Sequence, residues 1–134
     1  AHPGTRTKLQ DLSIVDGNTS VVTFQVEVAK KNSSRKKGLM YRKVLPANQG
    51  MLLDYRYPAK MGIWMKNTYI PLDLLFIDAD GIIIKIHEGA EPLSTKTIES
   101  GAEVRAVLEI NAGQVREFGL EVGYRVRHAS FISR

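Results

Sequence analysis

Cysteine is absent from this chain. Disulfides, thiolate-bound zinc and thiol nucleophiles are therefore excluded. Long apolar runs are absent too. A helix that crosses a bilayer needs roughly 18 apolar residues, and the longest uncharged apolar stretches, 74–77 and 82–84, are strand-sized. No Gly-x-Ser-x-Gly elbow and no glycine-rich phosphate loop occurs, so neither a serine-hydrolase nor a nucleotide-binding signature is present. Histidine is scarce: His2, His87 and His128 show no HxH or HxxxH spacing. No metal site is read from them, and no cofactor. Asp78-x-Asp80-Gly81 opens like a calcium loop but lacks the later acceptors and the closing glutamate, and reads as a turn.

What is present is ordinary for a soluble globular domain. The 134 residues are 43% hydrophobic and 25% charged, which fits one domain with a sizeable core. The net charge of +5 favours anions in general without selecting a partner. The chain begins at Ala1 and not at methionine, which suits a processed or trimmed product.

Periodicity divides the chain into short strands. Residues 1–20 read as a loose leader (1–6) and a first irregular strand (7–15), and 21–134 as a single β-rich domain. Residues 21–29 alternate cleanly, with Val22, Phe24, Val26 and Val28 to one side. Asn32, Ser33 and Ser34 supply cap oxygens for a short helix expected over 35–44, which Pro46 ends. Extended structure is expected at 50–54, 62–67, 72–78, 82–87, 103–110 and 124–132, with a loop over 55–60 and a long loop or edge over 88–101. Turns are expected at 16–18 and 78–81. A second short helix is expected over 112–120, closed by glycine. Long helices alternating with strands are missing. The fold expected is mainly β, a sandwich or barrel with two short helices.

Candidate chemistry concentrates between Arg35 and Asp73. If 62–67 pairs with 72–78 as a hairpin, alternation places Ile63 and Met65 with Leu74 and Phe76. Trp64 and Lys66 then share the other face with Asp73. That face would offer an aromatic wall, a cation, a carboxylate and the Asn67 amide, a mixture that fixes small polar ligands. The competing reading is a surface ion pair beside a core tryptophan. Lys30, Lys31, Arg35, Lys36, Lys37, Arg42 and Lys43 form a run with no acid between Glu27 and Asp54. Arg35 and Arg42, seven apart, would share a helix face suited to an anion, against the alternative of a solvated face. Aromatic residues do not interleave with these charges, so no specific nucleic-acid binding is read. Glu109 and Asp73 are the carboxylates available for acid–base work.

Four motifs add a resemblance. They are R-K-K-G-L-M-Y-R from Arg35, G-M-L-L from Gly50, W-M-K-N-T-Y-I-P-L-D-L-L-F-I-D from Trp64, and V-L-E-I-N-A-G from Val107. In this order the chain resembles, over roughly 21–126, the family called domain of unknown function 192, small bacterial and archaeal proteins without an assigned activity. The resemblance implies a compact β-rich barrel or sandwich. Export signals are common in that family, which implies a periplasmic or secreted protein, with the cytoplasm as the alternative. The family pattern falls on Arg35, Gly38, Leu39, Met40 and Arg42, on Gly50 and Met51, on Trp64 through Thr68 with Pro71, Leu72 and Asp73, and on Leu108, Glu109, Ala112 and Gly113. Leu53 stands where an aromatic is usual, and Tyr124 where an Asp closes the pattern.

The function expected is binding of a small polar or anionic ligand by an envelope-associated protein. Trp64, Lys66, Asn67 and Asp73 would line the site, with Arg35, Arg42 and Glu109 as further members. A metal-independent hydrolase using Asp73 or Glu109 is the alternative, and a protein-interaction module the third.

Overall fold

A computed structural model describes residues 8–132; the leader read over 1–6 lies outside them. Nine strands form: β1 (Gln10–Asp16), β2 (Thr19–Ala29), β3 (Gln49–Ala59), β4 (Gly62–Ile63), β5 (Leu72–Ile77), β6 (Ile83–Ala90), β7 (Ile98–Glu99), β8 (Val104–Asn111) and β9 (Arg125–Arg127). Two short helices accompany them, α1 (Asn32–Lys37) and α2 (Gln114–Phe118), with a 3-10 turn at Ala129–Phe131.

Seven strands make one sheet in the order β6-β5-β8-β3-β2-β1-β9, and β4 pairs with β7 beside it. β2 and β3 run parallel, the other neighbours antiparallel. The sheet curls into a half-barrel. Its two edges meet at one end, where the Ile83 amide donates to the Tyr124 carbonyl (2.9 Å) and the Val126 amide to that of Gly81 (2.7 Å). A side chain at Gly81 would meet the Val126 carbonyl at 2.9 Å, so this join requires glycine.

The concave face encloses the main core. Every long strand contributes: Leu12 and Ile14, Phe24 and Val26, Leu52, Leu75 and Ile77, Ile83, Ala106, Leu108 and Ile110. The convex face of β3, β5 and β8 carries a second apolar layer built on Met51, Leu53, Leu74, Phe76 and Val107. Two connections cover it. A parallel pair cannot be joined by a tight turn and needs a crossover of a dozen residues or more. Residues 30–48 are that crossover, and they bring Leu39 and Leu45 onto the layer. Residues 60–71 add Ile63, Met65 and Ile70.

Several boundaries differ from the sequence reading. The first helix begins at Asn32 and stops at Lys37, because Gly38 turns the chain (φ +48) and drops Leu39 into the apolar layer. Arg42 therefore lies beyond the helix and shares no helix face with Arg35. The expected loop over 55–60 is the exposed end of β3, which still pairs at Ala59 with Val104. The expected strand over 62–67 shrinks to β4, and the long loop over 88–101 contains its partner β7. The closing strand shortens to β9. β1 is an integral strand, paired with both β2 and β9.

Candidate functional site

Strand alternation decides where each carboxylate points. In β8, Ala106, Leu108 and Ile110 face the barrel interior, so Val107 and Glu109 face the convex layer. Glu109 lies across from Met51 on one neighbouring strand and Leu74 on the other. Both neighbours are apolar and buried, and the crossover closes over the top. Glu109 is consequently 5% exposed. Its Oε1 is buried with no hydrogen-bond partner among the described residues. The loss of water pushes this carboxyl up to about 7, with the Arg42 charge acting in the opposite direction.

Above Glu109 opens a cavity of about 240 Å³, bounded by α1 and the turn after it, the β3 residues Leu53 and Tyr55, and the stretch from Gly62 to Trp64. At about 30 Å³ per water it has room for roughly eight waters, so it suits a small molecule. Gly38 helps form it. A Cβ there would sit 3.3 Å from Glu109 Oε1, at a backbone angle that also favours glycine.

The walls are aromatic and the mouth is basic. The Arg35 guanidinium stands 5.1 Å from the Tyr55 ring centre. It donates to the Asp54 carbonyl at 3.2 Å, and also to the Lys30 carbonyl and the Asn32 side-chain oxygen. Carbonyl and amide oxygens fix its direction, and among the described residues no carboxylate forms an ion pair with it. Burial pushes the Tyr55 phenol up to about 12; the neighbouring Glu109 adds to this and Arg35 opposes it. The half-exposed Trp64 ring lies opposite, with Lys66 Nζ 5.0 Å from its centre. Lys36 and Lys37 complete the mouth, and Glu109 is the single acid lining the cavity.

Of the residues singled out in the sequence, Trp64, Arg35 and Glu109 meet around this cavity. Lys66 lies beside the Trp64 ring as expected, but at the surface. Asn67 turns outward in a left-handed conformation (φ +54), and its amide donates to the Tyr41 hydroxyl at 2.9 Å. Arg42 is engaged by Glu27 in a two-pronged ion pair. That hydrogen bond raises its pKa against the opposing effect of burial.

Asp73 corrects the expected hairpin. β4 pairs with β7 and not with β5, so no pairing brings Lys66 to Asp73. Asp73 lies across from Ile110 and points to the concave side, fully buried, whereas Glu109 pairs with Leu74 and points to the convex side. The two carboxylates thus occupy opposite faces of the sheet and cannot act as a pair. Asp73 Oδ1 accepts from the Gly89 amide (2.9 Å), and Oδ2 from the amides of Gly113 and Val115 (both 3.0 Å). It is a structural clamp. Alternation specifies a strand's faces and not its partner, so the expected hairpin does not form.

The sequence does not mark Tyr55, Gly38 or Leu53 as cavity residues: Tyr55 falls in the loop expected over 55–60, and nothing local identifies it as a wall. The unbroken basic run was the usable signal for the mouth, since it falls wholly within the crossover.

A second hollow, about 420 Å³ and lined by residues including Lys85, His87 and Glu91, contains no buried ionisable group. Among the described residues, no group of three or more His, Cys, Asp or Glu could hold a metal ion. No helix there is long and apolar enough to cross a membrane.

Comparison with known proteins agrees with this architecture. The family model for domain of unknown function 192, described as an uncharacterized ACR, matches residues 13–128. No curated protein matches the chain significantly. A crystal structure from Sinorhizobium meliloti 1021, described as a candidate transcription regulator, superposes with a TM-score of 0.87. It is 38% identical, over 93% of this chain and 98% of that one. A protein of unknown function from Novosphingobium aromaticivorans also gives a TM-score of 0.87, at 29% identity over 96% of this chain and 91% of that one.

Proposed function

The chain belongs to the domain of unknown function 192 family, and we propose that it binds a small polar or anionic ligand in the cavity above Glu109. One observation carries the reading. Glu109 forms the floor of the cavity, and one of its carboxyl oxygens is buried without a partner among the described residues, although buried polar groups are almost always hydrogen-bonded. Leaving such a group unpaired costs roughly 1–3 kcal/mol, and a ligand bearing a donor would remove that cost. The aromatic walls and basic mouth supply the remaining recognition. Residence at the cell envelope belongs to the same proposal and rests on the export signals common in the family; fractionation of cells that make the protein tests it.

The description given to the Sinorhizobium protein suggests a nucleic-acid reader. Helix-turn-helix readers place a recognition helix in the major groove. The helices among the described residues run six and five residues, too short for that role, which favours the ligand reading.

A thermal-shift screen against sugars, nucleotides, phosphates and carboxylates tests the proposal. A ligand at about 100 times its Kd should raise Tm by about 5–10 °C. That gain should vanish in Trp64→Ala and fall in Glu109→Gln. No response to any class, or responses unchanged in both variants, would refute the site.

The near-neutral Glu109 carboxyl favours a second reading, general acid–base catalysis on the bound molecule. Chemical change in a screening hit, abolished in Glu109→Gln while binding persists, would establish it.

A further inference from the structure

The charges around the cavity are unequally distributed, and that inequality narrows the ligand. At the mouth stand Arg35, Lys36 and Lys37. None of them belongs to the salt bridges found among the described residues, which join Arg42 to Glu27 and Arg105 to Asp54. At the floor is one carboxyl, apolar on either side along the sheet, with Oε1 unpartnered. The mouth therefore calls for negative charge, and the floor for a hydrogen-bonding group.

That floor group is unlike an ammonium. Both aromatic walls already have a cation over the ring, Arg35 on Tyr55 and Lys66 on Trp64. A further positive charge between them would meet the like charges of four basic groups, Arg35, Lys36, Lys37 and Lys66. A neutral hydroxyl avoids that repulsion. It can donate to the carboxylate or accept from the carboxylic acid, so it suits Glu109 in either form. Cavity size limits the remainder to a short carbon skeleton against Leu39, Leu53 and the rings.

We propose that the cavity takes a small hydroxyl-bearing organic anion, its acid group at Arg35, Lys36 and Lys37 and its hydroxyl on the Glu109 carboxyl. This rests on the ligand-binding reading above and names the ligand class. A carboxylate and a phosphate share the required chemistry, and the probes separate them.

Calorimetric titration of the intact protein with five compounds tests it: glycerate, propionate, glycerol, glycerol 3-phosphate and inorganic phosphate. Glycerate or glycerol 3-phosphate should bind about tenfold or more tighter than propionate, glycerol and phosphate, the discrimination expected of one hydrogen bond to a charged group. The tighter of the two identifies the acid group. Lys36 and Lys37 are exposed, so the double variant Lys36→Ala/Lys37→Ala should fold normally. It should lose about tenfold in affinity for the anions and much of their salt dependence, yet keep the preference for a hydroxyl. Glu109→Leu should lose that preference and keep the salt dependence. Propionate matching glycerate and phosphate matching glycerol 3-phosphate, or glycerol matching both hydroxylated anions, would overturn the ligand class. So would silence from all five compounds when the broader screen has given a Trp64-dependent hit. Silence in that screen as well refutes the binding site itself.

Discussion

Glu109 holds a titratable carboxyl that the fold strips of most of its water, and this has a thermodynamic signature. Its carboxyl titrates near 4.5 when solvated and at about 7 in the folded chain. Between those values the folded state holds more proton than the unfolded state, so stability falls as pH rises across that window. At ~1.4 kcal/mol per pKa unit the loss reaches on the order of 3 kcal/mol above pH 7. Two other groups act in the opposite direction. Burial pushes His128 down. It pushes Asp54 up, but hydrogen bonds from Ser130 and the Arg56 amide and the nearby Arg105 outweigh it and hold that carboxyl low. Both contributions cancel when the protein is compared with Glu109→Gln. Urea unfolding at pH 5, 6, 7 and 8 should show the variant gaining on the parent as pH rises. A difference that stays constant across the series contradicts a buried titrating Glu109.

Elements are held together by a different acid. The N-cap of α2 is Gly113, which has no side chain to cap the helix. Asp73, 40 residues earlier on β5, supplies the missing acceptor. Through Gly89 it also holds the end of β6. Removing it leaves three amides without their acceptor. Asp73→Ala should cost roughly 3 kcal/mol or more in chemical denaturation, and hydrogen exchange at Gly89, Gly113 and Val115 should accelerate. The cavity lies on the other face of the sheet, so folded Asp73→Ala should retain ligand affinity. Unchanged exchange at those amides would show that the clamp contributes little. α1 answers to a different constraint. It lies in the crossover and places Arg35 over the Tyr55 ring.

At the scale of the molecule, two apolar layers share one sheet. Strands distant in sequence form it: β1 pairs with β9 at Ile14 and Val126, and β3 with β8 at Leu52 and Leu108. Such pairings must close long loops before they gain contact energy, and folds of this kind refold in milliseconds to seconds. Trp64, the one tryptophan, stands beside the convex layer, while far-ultraviolet circular dichroism follows the sheet. Because β3, β5 and β8 belong to both layers, the two signals should report one unfolding transition, and stopped-flow refolding should fall in that slow range. A tryptophan transition at lower denaturant than the sheet's would show that the crossover layer melts by itself.

The amino-acid order alone determined much of this protein. Alternation in β2 exposed a half-buried strand, Asp78 to Gly81 marked a turn, and Gly119 or Gly123 marked the end of the second helix. Four motifs identified the family, and the absence of long helices identified a mainly β fold. These signals are local, since they depend on side-chain period and on backbone angles that few residues accept. Local signals also placed Glu109 opposite the core-facing residues of β8, where a charged group is normally solvated. Only the tertiary structure buried it. The sheet needed a crossover between parallel β2 and β3, and that crossover, with residues 60–71, covered the convex face. The same arrangement separated Asp73 from Lys66 and turned an expected ligand carboxylate into a clamp. Alternation gives each strand two faces; what covers each face is decided by segments dozens of residues away.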